Sequence, residues 1–374
     1  MNPPERIALF LSFSGDGGVE RMMLNLAGAI ARLGHPVDLV RAKAEGGHDQ
    51  APEGVRVIDL GTAHTRTSLK PLTRYLKRER PAAMLAAKDR ANRVAIRARQ
   101  RAGVDTRLAV RLGTHLSRSL EGRSGLKKWL RYRPMRAAYP HADAIVAVSA
   151  GVAEDTARIT GIPQTAIHVI PNPVVTPAMR EAARAPTDHP WLEGSERDVP
   201  VIVAAGRLTR QKDFPTLLRA FARLREQRAA RLIILGEGRD RAELEALAGE
   251  LGIAGDLDLP GFAANPYPFM ARADLFALSS AWEGSPNVLT EALALGTPVV
   301  ATDCQSGPRE TLAGGRYGPL VPVGDAEALG RALAETIAAP PDPAFLKEAA
   351  APFEAEASAR AYLAALGIHP EATS

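Results

Sequence analysis

The sequence is poor in cysteine and in long apolar runs. Cys304 is the only cysteine among 374 residues, so no internal disulfide can form and a reducing, cytoplasmic compartment is expected. No run reaches the ~18 apolar residues of a membrane span. The apolar stretch at residues 7–13 has no basic segment before it, so it is interpreted as a buried strand and not as a signal peptide.

Clusters of metal ligands are also lacking. The eight histidines include no pair at ligand spacing, and one cysteine cannot build a Cys/His cluster. Neither a GxSxG nucleophile elbow nor an evident partner for Cys304 is found. The sequence therefore gives no support to a zinc protein, a serine hydrolase or a cysteine enzyme.

The sequence does have an ordinary globular composition, with 46% hydrophobic and 24% charged residues. Its length suits two domains at the usual ~100–200 residues each. Charge is concentrated in residues 62–140, which hold 21 Lys/Arg against 4 Asp/Glu. This excess is either a solvated arginine-rich surface or an attraction to phosphate groups, a membrane surface or nucleic acid.

Short apolar runs alternate with amphipathic stretches along the whole chain. Such alternation predicts an α/β protein with parallel sheets and helices on both faces, here as two Rossmann-like, doubly wound domains. The predicted boundaries are 1–175 for the N-terminal domain, 176–199 for a linker, 200–350 for the C-terminal domain and 351–374 for a closing helix that packs back towards the first domain. Ligands of such sheets bind at the carboxyl ends of strands, so a central cleft is the expected site.

The stretch EGSPNVLTE places Glu283 and Glu291 on either side of a predicted helix start. Ser285 is suited to the N-cap and Pro286 to the first turn. The N–H groups at this start would favour an anion; they belong to Asn287, Val288 and Leu289. The stretch therefore suits a ligand with both hydroxyls and phosphate, although the two glutamates could equally contact only the helix start and solvent.

Two further loops follow predicted strands. In GRLTRQKD, Arg207 and Lys212 lie between a strand and a helix, where two cations can bind a diphosphate. In SGDGG, Gly15, Gly17 and Gly18 allow close approach of the backbone to a ligand. Each loop alone is also compatible with an ordinary strand-to-helix turn.

Together, in this order and spacing, the three stretches resemble the retaining glycosyltransferases of family four, with the two-domain GT-B fold (glycosyl transferases group 1). The resemblance extends over nearly the whole chain and includes IPNPV, LGEG, LPGF and ALGTPVVATD. It implies a hexosyltransferase that moves a hexose or N-acetylhexosamine from a nucleotide-sugar, UDP-linked by preference, to a glycan or lipid-linked acceptor. Envelope polysaccharide or glycolipid synthesis is the implied setting.

The resemblance also implies roles for particular residues. Arg207 and Lys212 would bind and stabilise the departing diphosphate, Glu283 would face the donor sugar, and Glu291 would bind the ribose hydroxyls. Contacts to the sugar or phosphates would come from Gly17, Gly18, Asn287, Val288 and Leu289. No metal and no cofactor besides the donor would be needed. Many relatives have a histidine near the sugar; here the matching stretch offers His115, or Thr114 in its place.

A basic segment with aromatic residues, GRSGLKKWLRYRPMR, suggests a partner other than the donor. It would dock on an anionic membrane surface, at the cytoplasmic face, through Lys127, Lys128, Arg131, Arg133 and Arg136. A mobile basic loop is the alternative, and no nucleic-acid motif is present. Two other functions remain open: a sugar-nucleotide epimerase of the same architecture, and a non-catalytic protein that binds anionic polymers or membranes.

Overall fold

The computed structural model describes residues 5–12, 17–42, 51–193 and 199–368. These residues form two compact units. Unit 1 is Met1–Val174 with Phe353–Ser374, and unit 2 is Val175–Pro352. Each unit has one parallel sheet with interleaved helices, which confirms the predicted α/β class.

The first part of unit 1 alternates strands and helices. Its strands are β1 (Ile7–Leu11), β2 (Val37–Arg41), β3 (Val55–Asp59), β4 (Ala83–Ala87), β5 (Arg107–Leu112), β6 (Ala144–Ala147) and β7 (Ile167–Val169). Its helices are α1 (Gly18–Arg32), α2 (Leu69–Glu79), α3 (Asp89–Ala102), α4 (Leu116–Ser119), α5 (Gly125–Ala138) and α6 (Ala150–Thr160).

The sheet of unit 1 has the order β3-β2-β1-β4-β5-β6-β7. Along β1, Leu9 packs into one hydrophobic cluster and Phe10 into the other, because helices cover both faces of the sheet. Strands buried on both faces are continuously apolar, so most of them can be predicted from apolar runs in the sequence. The edge strand β3 is only partly buried and carries Arg56 and Asp59, so its apolar pattern is weak.

Unit 2 is built in the same way. Its strands are β8 (Val201–Ala205), β9 (Arg231–Leu235), β10 (Leu257–Gly261), β11 (Leu275–Leu278), β12 (Val299–Thr302) and β13 (Leu320–Val321). Its helices are α7 (Pro177–Ala182), α8 (Phe214–Gln227), α9 (Arg241–Glu250), α10 (Tyr267–Arg272), α11 (Asn287–Leu295), α12 (Pro308–Thr311), α13 (Ala326–Ala338) and α14 (Pro343–Glu348). The strand order is β10-β9-β8-β11-β12-β13.

The stretch 176–199, assigned to a linker in the sequence analysis, lies within unit 2. Helix α7 begins at Pro177 after Thr176, whose hydroxyl accepts a hydrogen bond from Met179 N. The side chain of Asn265 donates to Ala182 O at 2.9 Å, and His189 is buried. The proline and charged residues of this stretch interrupt any helical or strand period, so the sequence pattern did not indicate this packing.

The chain ends in unit 1 with helix α15 (Ala355–Ala365). Tyr362 on this helix is fully buried, and its hydroxyl accepts a hydrogen bond from Arg111 Nε at 3.2 Å. The Ser358 hydroxyl donates to Pro171 O at 2.9 Å. Val174 N donates to Phe353 O at 3.0 Å, which joins the two chain segments of unit 1.

Candidate active site

An ion pair lies at the carboxyl edge of the sheet in unit 2. Lys212 follows β8 and Glu283 follows β11, two strands that are neighbours in the sheet although 71 residues separate the pair. Lys212 Nζ donates to Glu283 Oε1 at 2.7 Å, and the side chains are only 15% and 8% exposed. The strand order reverses between β8 and β11, which is where open α/β sheets bind ligands.

The two loops that carry this pair are bonded to each other. Gln211 O accepts from Ala281 N at 2.8 Å, and the Gln211 amide donates to Trp282 O at 3.1 Å. Ser280 donates its hydroxyl to Glu283 Oε1 at 2.8 Å, and Ser306 donates to Glu283 O at 2.7 Å. These bonds fix the carboxylate before any ligand arrives. The sequence analysis did not identify these supporting polar residues, since nothing in their local pattern marks them.

Glycines bring two loops into close contact beside the pair. A Cβ at Gly206 would lie 2.7 Å from Lys212 Cε, so the aliphatic part of the lysine side chain packs against the backbone of Gly206. A Cβ at Gly236 would lie 2.0 Å from Gly206 O, and one at Gly238 would lie 2.2 Å from Leu208 O. The loops after β8 and β9 therefore pack backbone to backbone, which only glycine permits.

Helix α11 begins one residue later than the sequence predicts. Pro286, not Ser285, occupies the N-cap position, and no side chain caps this helix. Leu289 is buried, and its N–H donates to Pro286 O at 3.0 Å. This N–H is thus engaged within the first turn, and contact of Leu289 with the donor stays a prediction. Asn287 and Val288 form the first two positions of the helix, which starts four residues after Glu283.

The other predicted donor residues of unit 2 differ in exposure. Glu291 is buried, with 3% of the residue exposed, one turn into α11. Arg207 is exposed on the loop after β8. Of the predicted catalytic residues, the structure thus brings Lys212 and Glu283 into contact and leaves Arg207 as an accessible cation on the same loop as Lys212.

The remaining predicted residues belong to unit 1. Gly17 and Gly18 are exposed where α1 begins, after β1, whereas Gly15 lies outside the described residues. Thr114 is exposed in the loop after β5. His115 is buried, and its Nδ1 lies 3.5 Å from Asp155 Oδ2.

The environment of His115 determines its charge. Burial lowers the pKa of the imidazole, an effect that the charge of Asp155 opposes. The ring is therefore neutral at pH 7. Of the two candidates at this strand end, Thr114 presents its side chain to solvent, whereas His115 packs inside unit 1.

Cys304 lies in the electrostatic surroundings of the ion pair. Burial raises the pKa of its thiol to about 12, and the Glu283 carboxylate adds to the rise. Because the thiolate is the nucleophilic form, Cys304 is unsuited to nucleophilic catalysis. In the part of the chain that the structure describes, no group of three or more His, Cys, Asp or Glu side chains is placed to hold a metal ion.

A cavity of about 460 Å³ lies elsewhere in unit 2. Its lining includes Leu192, Arg272 and Ala273, and the last two directly precede β11. The cavity is therefore at the amino end of that strand, whereas Glu283 follows its carboxyl end. None of the predicted site residues lines it, so cavity size does not identify the functional site in this unit.

Two family models match the chain. Residues 17–173 match the model of a glycosyl transferase 4-like domain, and residues 188–352 match glycosyl transferases group 1. Among curated relatives, the lipopolysaccharide core biosynthesis glycosyltransferase LpsE of Rhizobium meliloti is 29% identical over 333 residues, which is 87% of each chain. The lipopolysaccharide 1,6-galactosyltransferase of Salmonella typhimurium is 32% identical over 187 residues, 48% of each chain.

Solved structures share the fold. The lipopolysaccharide outer core galactosyltransferase WaaB, in its apo form, has a TM-score of 0.70 at 20% identity, with 97% of this chain and 99% of that chain covered. Anabaena HepE in complex with UDP and glucose has a TM-score of 0.67 at 20% identity, with 97% of each chain covered. At these identities the likeness shows the fold alone.

Proposed function

Because the chain belongs to the GT4-type glycosyltransferases with the GT-B fold, we propose that it transfers a hexose or N-acetylhexosamine from a UDP-sugar to a glycan or lipid-linked acceptor. The observation that carries this proposal is the Lys212–Glu283 pair at the strand reversal of unit 2. Relatives named for lipopolysaccharide synthesis support envelope glycolipid or polysaccharide as the product. The complexes of HepE with UDP and with UDP-glucose support uridine as the donor base.

The proposed reaction is a single displacement at the anomeric carbon, with retention. The acceptor oxygen bonds to C1 of the sugar on the face from which the bond between C1 and the diphosphate oxygen breaks. The electron pair of the broken bond stays on the diphosphate, and the acceptor proton passes to that departing oxygen. Growing charge on a leaving group is stabilised best by fixed positive groups in a water-poor site.

The residues of unit 2 suit this chemistry. Lys212 provides a point charge held by Glu283, and Arg207 provides an exposed guanidinium from the same loop. The Glu283 carboxylate can accept hydrogen bonds from sugar hydroxyls on the side that does not face Lys212. Glu291, one turn into α11, is proposed to accept from ribose hydroxyls. These groups supply the charge that the step requires, so we propose no metal for it.

The two alternative functions predict different experimental results. An epimerase of the same architecture would bind a UDP-sugar but would convert it without an acceptor, and product analysis separates the two. A non-catalytic binder of anionic polymers would leave the buried Lys212–Glu283 pair without a use. In that case Glu283→Ala would leave polymer binding untouched, whereas in a transferase it removes turnover.

We expect UDP and UDP-sugars to raise the melting temperature of the purified protein, by mass action on the folded state. The screen compares UDP, GDP, ADP and their common sugar conjugates, each with EDTA and with a divalent metal ion. At a nucleotide concentration of 100 times Kd the stabilisation is about 2.7 kcal/mol. Lys212→Ala should abolish the shift, because it removes the cation that faces the diphosphate.

Lys347→Ala is the matched control, since this lysine is exposed on α14 and is not one of the predicted site residues. It should keep the nucleotide shift of the unsubstituted protein. A shift that appears only with metal would contradict the metal-free step. The absence of a shift with all three nucleotides at millimolar concentration would contradict the donor proposal itself.

The proposed acceptor side includes a membrane surface, which helix α5 is suited to meet. Leu126, Trp129 and Leu130 are 67%, 48% and 58% exposed. Lys127 and Arg133 are exposed beside them, and the Arg133 guanidinium lies 5.2 Å from the Trp129 ring centroid. Exposed apolar side chains interleaved with basic ones are typical of helices that lie in an anionic membrane interface.

The five predicted basic residues are not equivalent. Arg131 Nη1 pairs with Asp89 Oδ2 at 2.9 Å, and Arg136 Nε donates to Ile159 O at 2.5 Å. Those two are engaged within unit 1, so Lys127, Lys128 and Arg133 are the residues proposed to meet lipid. Among the described residues, no helix is both long and apolar enough to cross a bilayer.

Vesicle sedimentation tests this surface. Replacing both Trp129 and Leu130 with Ser should reduce binding to vesicles with 30% phosphatidylglycerol by about tenfold or more, since each buried large side chain contributes roughly 1.5–3 kcal/mol. The matched control is Val323→Ser in unit 2, which removes another exposed apolar side chain. Leu69 on α2 does not serve as a control because it is half-buried. Equal binding by all three proteins, or equal binding to uncharged vesicles, would contradict the proposed surface.

A further inference from the structure

The basic residues of unit 1 are collected in one layer of helices. Helices α2, α3 and α5 cover the same face of the sheet, because all three contribute to one hydrophobic cluster, for example through Leu72, Ala95 and Met135. Helix α2 packs on α3, and α3 packs on α5. The ion pair of Arg131 with Asp89 also joins α5 to the first turn of α3. The three helices therefore lie side by side and share one outer surface.

The charge on this layer is almost entirely positive. The three helices hold 14 Lys/Arg against two Asp/Glu. The two acidic residues, Glu79 and Asp89, have side chains that are only 16% and 8% exposed, and both are paired with arginines. The helices on the opposite face, α1 and α15, hold three Lys/Arg against two Asp/Glu. The positive charge of the helices in unit 1 is therefore concentrated on one face of the sheet.

Six of these cations are not engaged within the described part of the chain. All six are exposed there, and none forms an ion pair or a side-chain hydrogen bond. On α2 they recur at i, i+4 and i+7, and on α3 at i, i+7 and i+11, so each set lies along one stripe of its helix. They are Lys70, Arg74, Lys77, Arg90, Arg97 and Arg101.

These stripes do not serve the stability of the helices. A stabilising surface pair has opposite charges at i and i+4, as Asp89 and Arg93 do. Lys70 with Arg74, and Arg97 with Arg101, instead place like charges at that spacing, which destabilises a helix. An anionic surface laid against the stripes removes this repulsion and is attracted by all six charges.

We propose that the outer surface of α2 and α3 binds the anionic headgroups of a lipid bilayer, so that unit 1 lies with this face of its sheet against the membrane. The surface continues into α5, which exposes the apolar side chains of Leu126, Trp129 and Leu130. A bilayer has an apolar layer beneath its anionic groups, which nucleic acid lacks, so a membrane accounts for both parts. The inference extends the membrane contact proposed for α5 and rests on different residues.

Neutralising one cation on each helix tests this surface. Lys77→Gln combined with Arg97→Gln should weaken binding to vesicles with about 30% phosphatidylglycerol by about 10- to 30-fold, the loss expected for two basic residues at such a surface. The matched control is Arg32→Gln with Arg360→Gln, which removes the same charge from exposed positions of α1 and α15. The control should bind within about twofold of the unsubstituted protein, because screening limits each charge to about 8 Å.

Salt separates this surface from the apolar contact of α5. The loss caused by Lys77→Gln with Arg97→Gln should disappear in about 0.5 M NaCl, where screening already weakens these charges. The loss caused by Trp129→Ser with Leu130→Ser should remain. A loss in the second variant alone would overturn this inference and leave the α5 contact standing. Sedimentation needs neither donor nor acceptor, so failure of the transferase function is seen separately, in the absence of sugar transfer.

A fluorescent label reports which face of unit 1 meets the bilayer. Cys304 is buried, so a cysteine introduced at an exposed position takes up the label. Gln100→Cys on α3 and Ala364→Cys on α15 replace exposed, uncharged residues and form a matched pair. With lipids that carry a nitroxide quencher on the headgroup, the label at position 100 should be quenched strongly and the label at position 364 weakly.

Four results would overturn the inference. The first is equal binding of anionic vesicles by the unsubstituted protein and by Lys77→Gln with Arg97→Gln. The second is quenching at position 364 that equals or exceeds quenching at position 100. The third is a short DNA duplex whose binding is lost in the charge variant while vesicle binding is kept, which would assign the surface to nucleic acid. The fourth is a charge variant that melts below the unsubstituted protein, since removing like-charged neighbours should not destabilise the helices.

The unsubstituted protein itself provides the last comparison. It should sediment with anionic vesicles and remain in solution with uncharged ones at the same lipid concentration, because the six cations provide no attraction to a neutral surface. Failure to bind anionic vesicles would overturn this inference together with the α5 contact, whereas sugar transfer to a water-soluble acceptor would still support the transferase function.

Discussion

Glu283→Gln is expected to lower kcat for sugar transfer by about 10²–10³-fold, the usual effect of removing one preorganised electrostatic group from a transition state. The substitution keeps the size of the side chain but removes the charge that holds Lys212 Nζ at 2.7 Å and accepts from Ser280. A lysine displaced by about 1 Å from the leaving diphosphate loses a further part of its effect. Initial rates with saturating donor and acceptor measure the change.

A double-mutant cycle tests whether the pair acts as one unit. Glu283→Gln combined with Lys212→Met should reduce kcat by much less than the product of the single effects, because each substitution already disrupts the other residue. Glu245→Ala removes another ion pair of unit 2, the exposed one with Arg241 at 3.2 Å, and should leave kcat within about twofold. Additive effects would show that the two residues act independently, and a full rate in Glu283→Gln would show that the pair is not part of the reaction.

Gly236→Ala is expected to destabilise unit 2 by about 3–5 kcal/mol, the sum of a strained backbone and an overpacked contact. The residue has a φ of 144°, and a Cβ there would lie 2.0 Å from Gly206 O. Since both partners are backbone, no side chain can move aside and the loops after β8 and β9 must separate. Scanning calorimetry should show the transition of unit 2 lowered by about 10 °C.

Gly249→Ala, in the same unit, is expected to raise the stability instead of lowering it. Gly249 lies exposed in α9, and apart from the nearby backbone of its own helix no described atom lies within 4 Å of the position that its Cβ would occupy. Alanine should therefore stabilise the helix by about 0.5–1 kcal/mol. If Gly236→Ala melted like Gly249→Ala, the close approach of the two loops would be wrong. If Gly236→Ala lowered the melting temperature of unit 2 but left the affinity for UDP unchanged, the close contact of the two loops would serve folding and not the binding site.

The sequence was sufficient to predict the strands and the family because both depend on local pattern. Strands covered on both faces are continuous apolar runs, and Glu283 and Lys212 each follow such a run. A local sequence pattern does not indicate which strands are neighbours in the sheet. That β8 lies beside β11, and β1 beside β4, decides that Lys212 meets Glu283 and Lys88 meets Glu20. The sequence analysis named Lys212 and Glu283 separately, each from its own loop, and named neither Lys88 nor Glu20.

Smaller errors have equally local causes. Ser285 has the right chemistry for an N-cap, but the helix starts after Pro286 because the loop 284–286 packs under Gly307, where a Cβ would lie 2.6 Å from Pro286 Cδ. The positive φ of Lys88, 76°, cannot be predicted from the sequence, because lysine rarely adopts such a backbone conformation. Propensity describes a residue with its neighbours in the chain, whereas both of these features are set by neighbours in space.

The return of α15 to unit 1 has a consequence for synthesis on the ribosome. All of unit 2 lies within Val175–Pro352, so its last residue is made before any residue of α15. Unit 1 begins first but still lacks Tyr362, which is fully buried and bonded to Arg111. Multidomain chains generally fold from the N-terminus onwards during synthesis. In this chain unit 2 can complete its core first, while unit 1 must wait until α15 has left the ribosome.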